Sequence, residues 1–309
     1  MKKYISEKQF GKILKKSQKN LKKDDLFFEK YKREKKSKFI ETKKNINDKK
    51  LVQKFKQNEK SANFNEEDYI IGVNSVLEAL KSERTINKIM IVKARTSKQI
   101  KEIVRIAKEK KVVVQEVDHK KIADIANNQV HQGVIAYVSK YEYYDFSDMI
   151  KELKNKEKSI VLILDHITDT HNFGSILRTV DATNVDYVII PNRRSVAINS
   201  VVSKTSAGAV EYAKVVKVSS LSEAIKELKK IGYWVYALDM DSDILYDKCD
   251  YSEKTVLVVG SEESGISMQV TKNCDEIVKI PMTGRINSLN VSVATALALY
   301  QVKGKVFGN

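Results

Sequence analysis

Three short segments carry polar side chains where a plain hydrophobic core would have no use for them. The first reads Asp165-His166-Ile167-Thr168-Asp169-Thr170-His171-Asn172-Phe173-Gly174-Ser175-Ile176-Leu177-Arg178. It follows the unbroken apolar run Ile160–Leu164, the mark of a buried parallel strand, and opens into helical periodicity. Parallel sheets receive ligands at that strand end. Gly174 permits a tight entry into the helix, and Arg178 follows about one turn later. A surface ion pair is the plain alternative to a functional role for this side chain. His166 and His171 raise the question of a metal, but no third ligand has a workable spacing, so none is expected.

The second segment is Val259-Gly260-Ser261-Glu262-Glu263-Ser264-Gly265, again directly after an apolar run. Two glycines let the backbone approach a ligand, and Glu262 can accept hydrogen bonds from backbone amides or from that ligand. Taken alone, an ordinary strand-to-helix loop explains the segment better. The spacing is not GxGxxG, and no Gly-Lys-Ser/Thr follows, which excludes dinucleotide and Walker-type phosphate loops. The third segment is Ile280-Pro281-Met282-Thr283-Gly284-Arg285-Ile286-Asn287-Ser288-Leu289-Asn290-Val291-Ser292. Helix capping would use one of Ser288, Asn290 and Ser292, not all three.

The elements that must position these segments alternate. Between Tyr69 and Val138, strands are expected at Ile86–Val92, Val112–Val114 and Gly133–Val138. Helices are expected after a Ser75/Glu78 capping box, after Ser97 with its Ile100, Ile103, Val104, Ala107 stripe, and after Asp118. From Ile160 on, further strands fall at Tyr187–Ile190, Val215–Val218, Trp234–Leu238 and Val256–Val259, with a capping box at Ser220/Glu223. A last helix carries the stripe Val293, Ala296, Leu297, Tyr300. Both regions read as α/β. The expected division is a lysine-rich extension over 1–68, a small α/β domain over 69–145, a charged linker over 146–158 and a second α/β domain over 159–309.

Charge follows that division. The 309 residues carry a formal net charge of +16, from 56 Lys+Arg and 40 Asp+Glu. Residues 1–68 contribute 22 basic against 11 acidic side chains, 69–145 contribute 14 against 9, and 146–309 balance at 20 against 20. A chain this basic favours a nucleic-acid partner. The extension has too few apolar residues to offset ordering entropy and is expected to be disordered, acting as a solvated tail or a phosphate-binding arm. No apolar run is long enough for a membrane span, and the N-terminus lacks a secretory apolar stretch. Cys249 and Cys274 make no disulfide framework or CxxC site. A reduced, cytoplasmic protein is expected.

In this order and spacing, the Asn172–Arg178 segment, Gly260-Ser261-Glu262 and Ser288-Leu289-Asn290-Val291-Ser292 resemble the three motifs of the SpoU family, within the SPOUT class of RNA methyltransferases. Gly72-Val73-Asn74-Ser75-Val76-Leu77-Glu78 and His131-Gln132-Gly133 resemble that family's substrate-binding domain. The layout is most similar to the 23S ribosomal RNA guanosine 2′-O-methyltransferases. The resemblance spans Tyr69 to the C-terminus. It implies a knotted C-terminal α/β domain behind a smaller α/β RNA-binding domain, a homodimer, and S-adenosyl-L-methionine as cofactor. It implies Gly260, Ile280, Met282, Ser288 and Leu289 as the cofactor pocket, and Asn172, Arg178, Glu262, Ser288 and Asn290 as the catalytic surface. A guanidinium offers donors and no acceptor, so Arg178 suits stabilising an alkoxide or a phosphate better than accepting a proton. Thr170 stands where the family commonly has Pro, and Glu263 where it commonly has a small residue. Two other functions fit the same features: a tRNA 2′-O-methyltransferase, and a catalytically silent RNA-binding factor of ribosome assembly.

Overall fold

The computed structural model describes residues 68–127, 129–285 and 288–308. The expectation of disorder over 1–68 therefore lies, but for Asp68, outside the described residues.

The front module contains β1 (Asp68–Ile71), α1 (Val73–Lys81), β2 (Ile86–Val92), α2 (Lys98–Glu109), β3 (Val113–Val117), α3 (His119–Ile125) and β4 (Val134–Val138). Its sheet order is β1-β4-β2-β3, with β4 antiparallel to both neighbours and β2 parallel to β3. Val76, Leu80 and Ile103 from α1 and α2 bury against Ile70, Ile89 and Ala136 of the sheet. Ser97 Oγ accepts from Ile100 N and caps α2 as its sequence predicts. Ser75 does not cap α1, which begins after Gly72 (φ 99°). Instead Ser75 Oγ is buried and donates to Ser203 O at 3.0 Å, in the second domain.

Where a charged linker was expected, the chain forms helix α4 (Phe146–Lys154), capped by Asp145 Oδ1. Met149 and Leu153, four residues apart, are fully buried on one face of the second sheet. The charges on the rest of the turn mask this i, i+4 pair in the sequence.

The second domain runs β5 (Ser159–Asp165), α5 (Thr170–Thr183), β6 (Tyr187–Pro191), α6 (Ser200–Thr205), a 3₁₀ turn (Ala209–Glu211), β7 (Val215–Val218), α7 (Leu221–Lys230) and β8 (Trp234–Leu238). It closes with β9 (Lys254–Gly260), α8 (Met268–Thr271), β10 (Glu276–Val278) and α9 (Val291–Phe307). The sheet is parallel throughout, in the order β10-β8-β9-β5-β6-β7. Successive β5 side chains enter opposite cores. Ile160, Leu162 and Leu164 join the layer of α5 and α9, while Val161 and Ile163 join that of α4 and α7.

A nearly buried ion pair fastens the two modules: Arg84 Nη1 lies 2.8 Å from Glu211 Oε1, with side chains 9% and 2% exposed. Tyr212 OH donates to Glu78 Oε2 at 2.8 Å beside it. The last helix departs from its expected stripe. Thr295, Ala298, Leu299 and Val302 are buried, whereas Val293, Leu297 and Tyr300 are 48%, 41% and 55% exposed.

Candidate active site

Strands β5 and β9 are neighbours, and their last residues, Asp165 and Gly260, are register partners. The first two polar segments therefore leave the sheet side by side. Asp169 caps α5 by accepting from Asn172 N at 2.7 Å, which fixes Asn172 in the first turn. Gly174 serves close packing rather than helix entry, because a Cβ there would lie 2.7 Å from Thr205 Cβ and 3.0 Å from Val202 O. After β9 the chain folds back tightly. Ser261 N donates to Gly265 O (3.2 Å), Gly265 N donates to Ser261 O (2.9 Å), and Gly265 sits at φ 62°.

This turn projects Glu262 towards the third segment. Glu262 Oε1 accepts from Asn172 Nδ2 (3.2 Å), Asn290 Nδ2 (2.8 Å) and Val291 N (2.9 Å). Asn290 Nδ2 also donates to Asn172 Oδ1 at 2.8 Å. Asn290 caps α9, its Oδ1 accepting from Ser292 N (3.0 Å). One carboxylate oxygen of the second segment thus gathers donors from the first and the third, and both asparagine amides have a defined orientation.

Two cavities meet at Glu262. The smaller, about 250 Å³, is lined by Val259, Gly260, Ser261, Glu262, Gly265, Ile280, Met282, Ser288, Leu289, Val291 and Ala294. Leu238, Asp239 and Met240 form its remaining wall. All five residues expected at the cofactor therefore line one space. The β8 wall was not foreseen, since no glycine or polar cluster marks it, although it too lies at the end of a parallel strand. The second cavity, about 510 Å³, is lined by Asn172, Asp169, His166, Ser264, Ser267 and Arg194 among others, and shares Ser261, Glu262 and Val291 with the first.

Arg178 is not brought to this cluster. It lies exposed on α5, lines neither cavity, and has no hydrogen bond or ion pair among the described residues. The two histidines diverge. His166 Nδ1 lies 2.5 Å from Asp165 Oδ1, and His171 Nδ1 lies 3.5 Å from Thr205 Oγ1.

Residues 159–300 match the model of the SpoU rRNA Methylase family, and residues 69–144 match that for RNA 2′-O ribose methyltransferase substrate binding. A relative from Staphylococcus aureus strain MSSA476, provisionally named a TrmH family tRNA/rRNA methyltransferase, is 45% identical over 238 residues. The alignment covers 77% of this chain and 96% of the relative. The chain belongs to the SpoU methylase family. A Staphylococcus haemolyticus relative with the same provisional name is 46% identical over 241 residues, 78% of this chain and 96% of its own length.

Solved structures show the same fold at low identity. The SpoU methyltransferase AviRb from Streptomyces viridochromogenes has a TM-score of 0.66 at 21% identity, covering 79% of this chain and 91% of that one. An AdoMet-bound rRNA methyltransferase from Sinorhizobium meliloti has 0.65 at 22%, covering 77% and 87%. For a SpoU-family chain the smaller cavity has the right chemistry for a nucleoside cofactor. Leu238, Met240, Ile280 and Leu289 offer apolar surface, while Asp239, Ser261 and Ser288 offer polar groups. A Cβ on Gly260 would collide with the backbone of Gly265 and Ile266, so only glycine allows the cradle to close.

Proposed function

We propose that this SpoU-family chain transfers the methyl group of S-adenosylmethionine to the ribose 2′-hydroxyl of a guanosine in 23S ribosomal RNA. The observation that carries this reading is the Glu262 junction. One residue walls the cofactor-sized cavity, walls the larger polar cavity beside it, and holds Asn172 and Asn290 between them. S-adenosylmethionine supplies a methyl group on a sulfonium, an electrophile with a good leaving group, so the demanding partner is the 2′-hydroxyl. Asn172 and Asn290 orient that hydroxyl, and Glu262 keeps both amides from rotating. Gly260, Ile280, Met282, Ser288 and Leu289 hold the cofactor. We assign Ser288 to the catalytic surface as well.

Arg178 stabilises the developing alkoxide or a neighbouring phosphate. Because it stands exposed on α5 and lines neither cavity, this role requires that a second copy or the bound RNA bring the reacting centre to it. A homodimer agrees with the exposed apolar face of Val293, Leu297 and Tyr300 on α9. We also read the return of the chain from β10, at the sheet edge, to α9, over its centre, as the knotted segment of the family fold. The ribosomal target rests on the front module, matched as a substrate-binding domain and locked on by Arg84 and Glu211. No helix among the described residues is long and apolar enough to cross a membrane, and we place the reaction in the cytoplasm.

Mapping 2′-O-methyl positions in cells with and without the protein tests this reading. Loss of one guanosine mark in 23S RNA supports it. Loss of a tRNA mark, with ribosomal RNA unchanged, moves the assignment to tRNA, in line with the combined tRNA/rRNA name of the relatives. No S-adenosylmethionine binding by calorimetry would leave only an RNA-binding factor.

A further inference from the structure

The catalytic cluster leaves a larger polar groove without a role. Beyond Glu262, the second cavity of 510 Å³ continues into a third of 560 Å³ along the ends of β5, β6 and β7. These two share His166, Arg194 and Ser267, just as the first and second share Ser261, Glu262 and Val291. The three spaces therefore stand in series. Each of the outer two has about twice the volume of the cofactor-sized one, 250 Å³.

Charge is distributed unequally along this series. Several acids serve the fold itself: Asp165 Oδ2 accepts from Ser267 N (2.8 Å), Asp169 Oδ1 caps α5, and Glu262 Oε1 binds its three donors. Glu263 is exposed at the second cavity. At the far end the balance reverses. Arg193 and Arg194 are exposed, line the third cavity, and have no hydrogen bond or ion pair among the described residues.

These arginines are not on a loose loop. Asn192 N donates to Val218 O at 2.8 Å on one side, and Val196 N donates to Ile167 O at 3.1 Å on the other. Ser195 Oγ donates to Pro191 O within the turn, at 2.5 Å. Arg194 (φ 55°) and His166 (φ 61°) both occupy the left-handed region that non-glycine residues rarely adopt, and both face the junction of the two outer cavities. Strain of this kind persists where the surroundings impose it, commonly at ligand sites.

We propose that the second cavity takes the target nucleotide and that Arg193 and Arg194 grip the adjoining RNA phosphate in the third. The guanidinium fork matches phosphate oxygens, and the anchored turn holds both forks ready. The two arginines are positioning residues. They touch the RNA backbone, not the reacting atoms, and their loss weakens RNA capture and leaves the chemical step intact. This inference rests on the reading of the chain as an RNA 2′-O-methyltransferase.

The test uses the full-length protein, S-adenosylmethionine and 23S ribosomal RNA lacking the mark. For R193Q/R194Q the expected result is a KM for RNA raised about 10-fold or more, kcat within about 2-fold, and unchanged cofactor affinity by calorimetry. The salt dependence of RNA binding should also flatten, by about 0.7 in slope for each single-strand phosphate that the variant no longer neutralises. R193K/R194K should keep most of the slope. Unchanged KM and slope would overturn the proposal, as would a fall in kcat with KM unchanged. If the double variant loses cofactor affinity, the single variants R193Q and R194Q decide, each with a several-fold rise in KM. Failure of the wild-type protein to methylate any RNA would instead refute the underlying function.

Discussion

Replacing Gly260 by alanine puts the cofactor cradle under a direct steric test. The added Cβ would overlap the carbonyl group of Gly265 and the amide nitrogen of Ile266, all of them backbone atoms that cannot swing aside. Restoring ordinary contact at ~3.5 Å requires the two limbs of the turn to part by about 1 Å. That parting breaks the reciprocal Ser261–Gly265 bonds, now 3.2 and 2.9 Å, at about 1 kcal/mol each. Overpacking adds about 1–3 kcal/mol. The expected loss is about 3–5 kcal/mol, or about 10 °C in Tm for a unit of this size. Because Gly260, Ser261, Glu262 and Gly265 all line the cavity, S-adenosylmethionine affinity should fall roughly 30-fold, equivalent to about 2 kcal/mol. Thermal unfolding and calorimetric titration measure both effects. Gly284→Ala is the control, because a Cβ there meets nothing within 4 Å, and it should shift stability by less than about 0.5 kcal/mol. A G260A protein with wild-type Tm and cofactor affinity would refute the close approach of the two limbs.

Arg178→Ala should reduce methyl transfer by about 100-fold or more while S-adenosylmethionine affinity stays within about 3-fold; near-normal turnover would remove Arg178 from the reaction. Arg84→Ala should cost about 3 kcal/mol or more in urea unfolding, since it strands the buried Glu211 and frees Ser139 O of two donors. Burial pushes the Glu211 carboxyl above its ordinary value of 4.5, with Arg84 opposing. The stabilising contribution of its protonated form is complete below that value and is lost as pH rises through the raised one. The penalty of Arg84→Ala should thus be larger at pH 8 than at pH 5, and a pH-independent penalty would contradict this. His131 is shifted downwards, first by burial and then by His119, Arg95 and Lys204. Its contribution is present above 6.5 and lost on acidification through the lowered value, so His131→Asn should flatten the acid limb of the stability profile.

Strands with unbroken apolar runs were legible from the sequence because burial on both faces leaves no other reading. The run around Ile160–Leu164 appears as expected; so does Ile86–Val92, although Asn87 and Lys88 interrupt it and only Ile89, Met90 and Ile91 are buried. Caps that act within their own helix were legible too, as at Ser97 and Ser220. Residues whose partners are distant in sequence were not. Ser75 has capping-box spacing yet bonds across the domain junction to Ser203. Helix α4 passes for a linker because its buried side consists of little more than Met149 and Leu153. The stripe Val293, Leu297, Tyr300 looks like core, but the fold turns it outwards. At the site, glycine and polar punctuation exposed two cavity walls, while Leu238-Asp239-Met240 carries no such punctuation and only the topology brings it in. The arginine most prominent in the sequence, Arg178, stands off the cluster, whereas Arg193 and Arg194 belong to no motif and border the groove.

Methyl transfer to a ribose 2′-oxygen can be read on the purified protein. The protein is incubated with methyl-labelled S-adenosylmethionine and unmodified 23S ribosomal RNA, and the RNA is then hydrolysed in alkali. Transfer to a 2′-oxygen blocks cleavage at that linkage, so label is expected in alkali-resistant dinucleotides, with a strong loss of that label in Glu262→Ala. Label released as mononucleotides would place the methyl group on a base and refute transfer to the ribose.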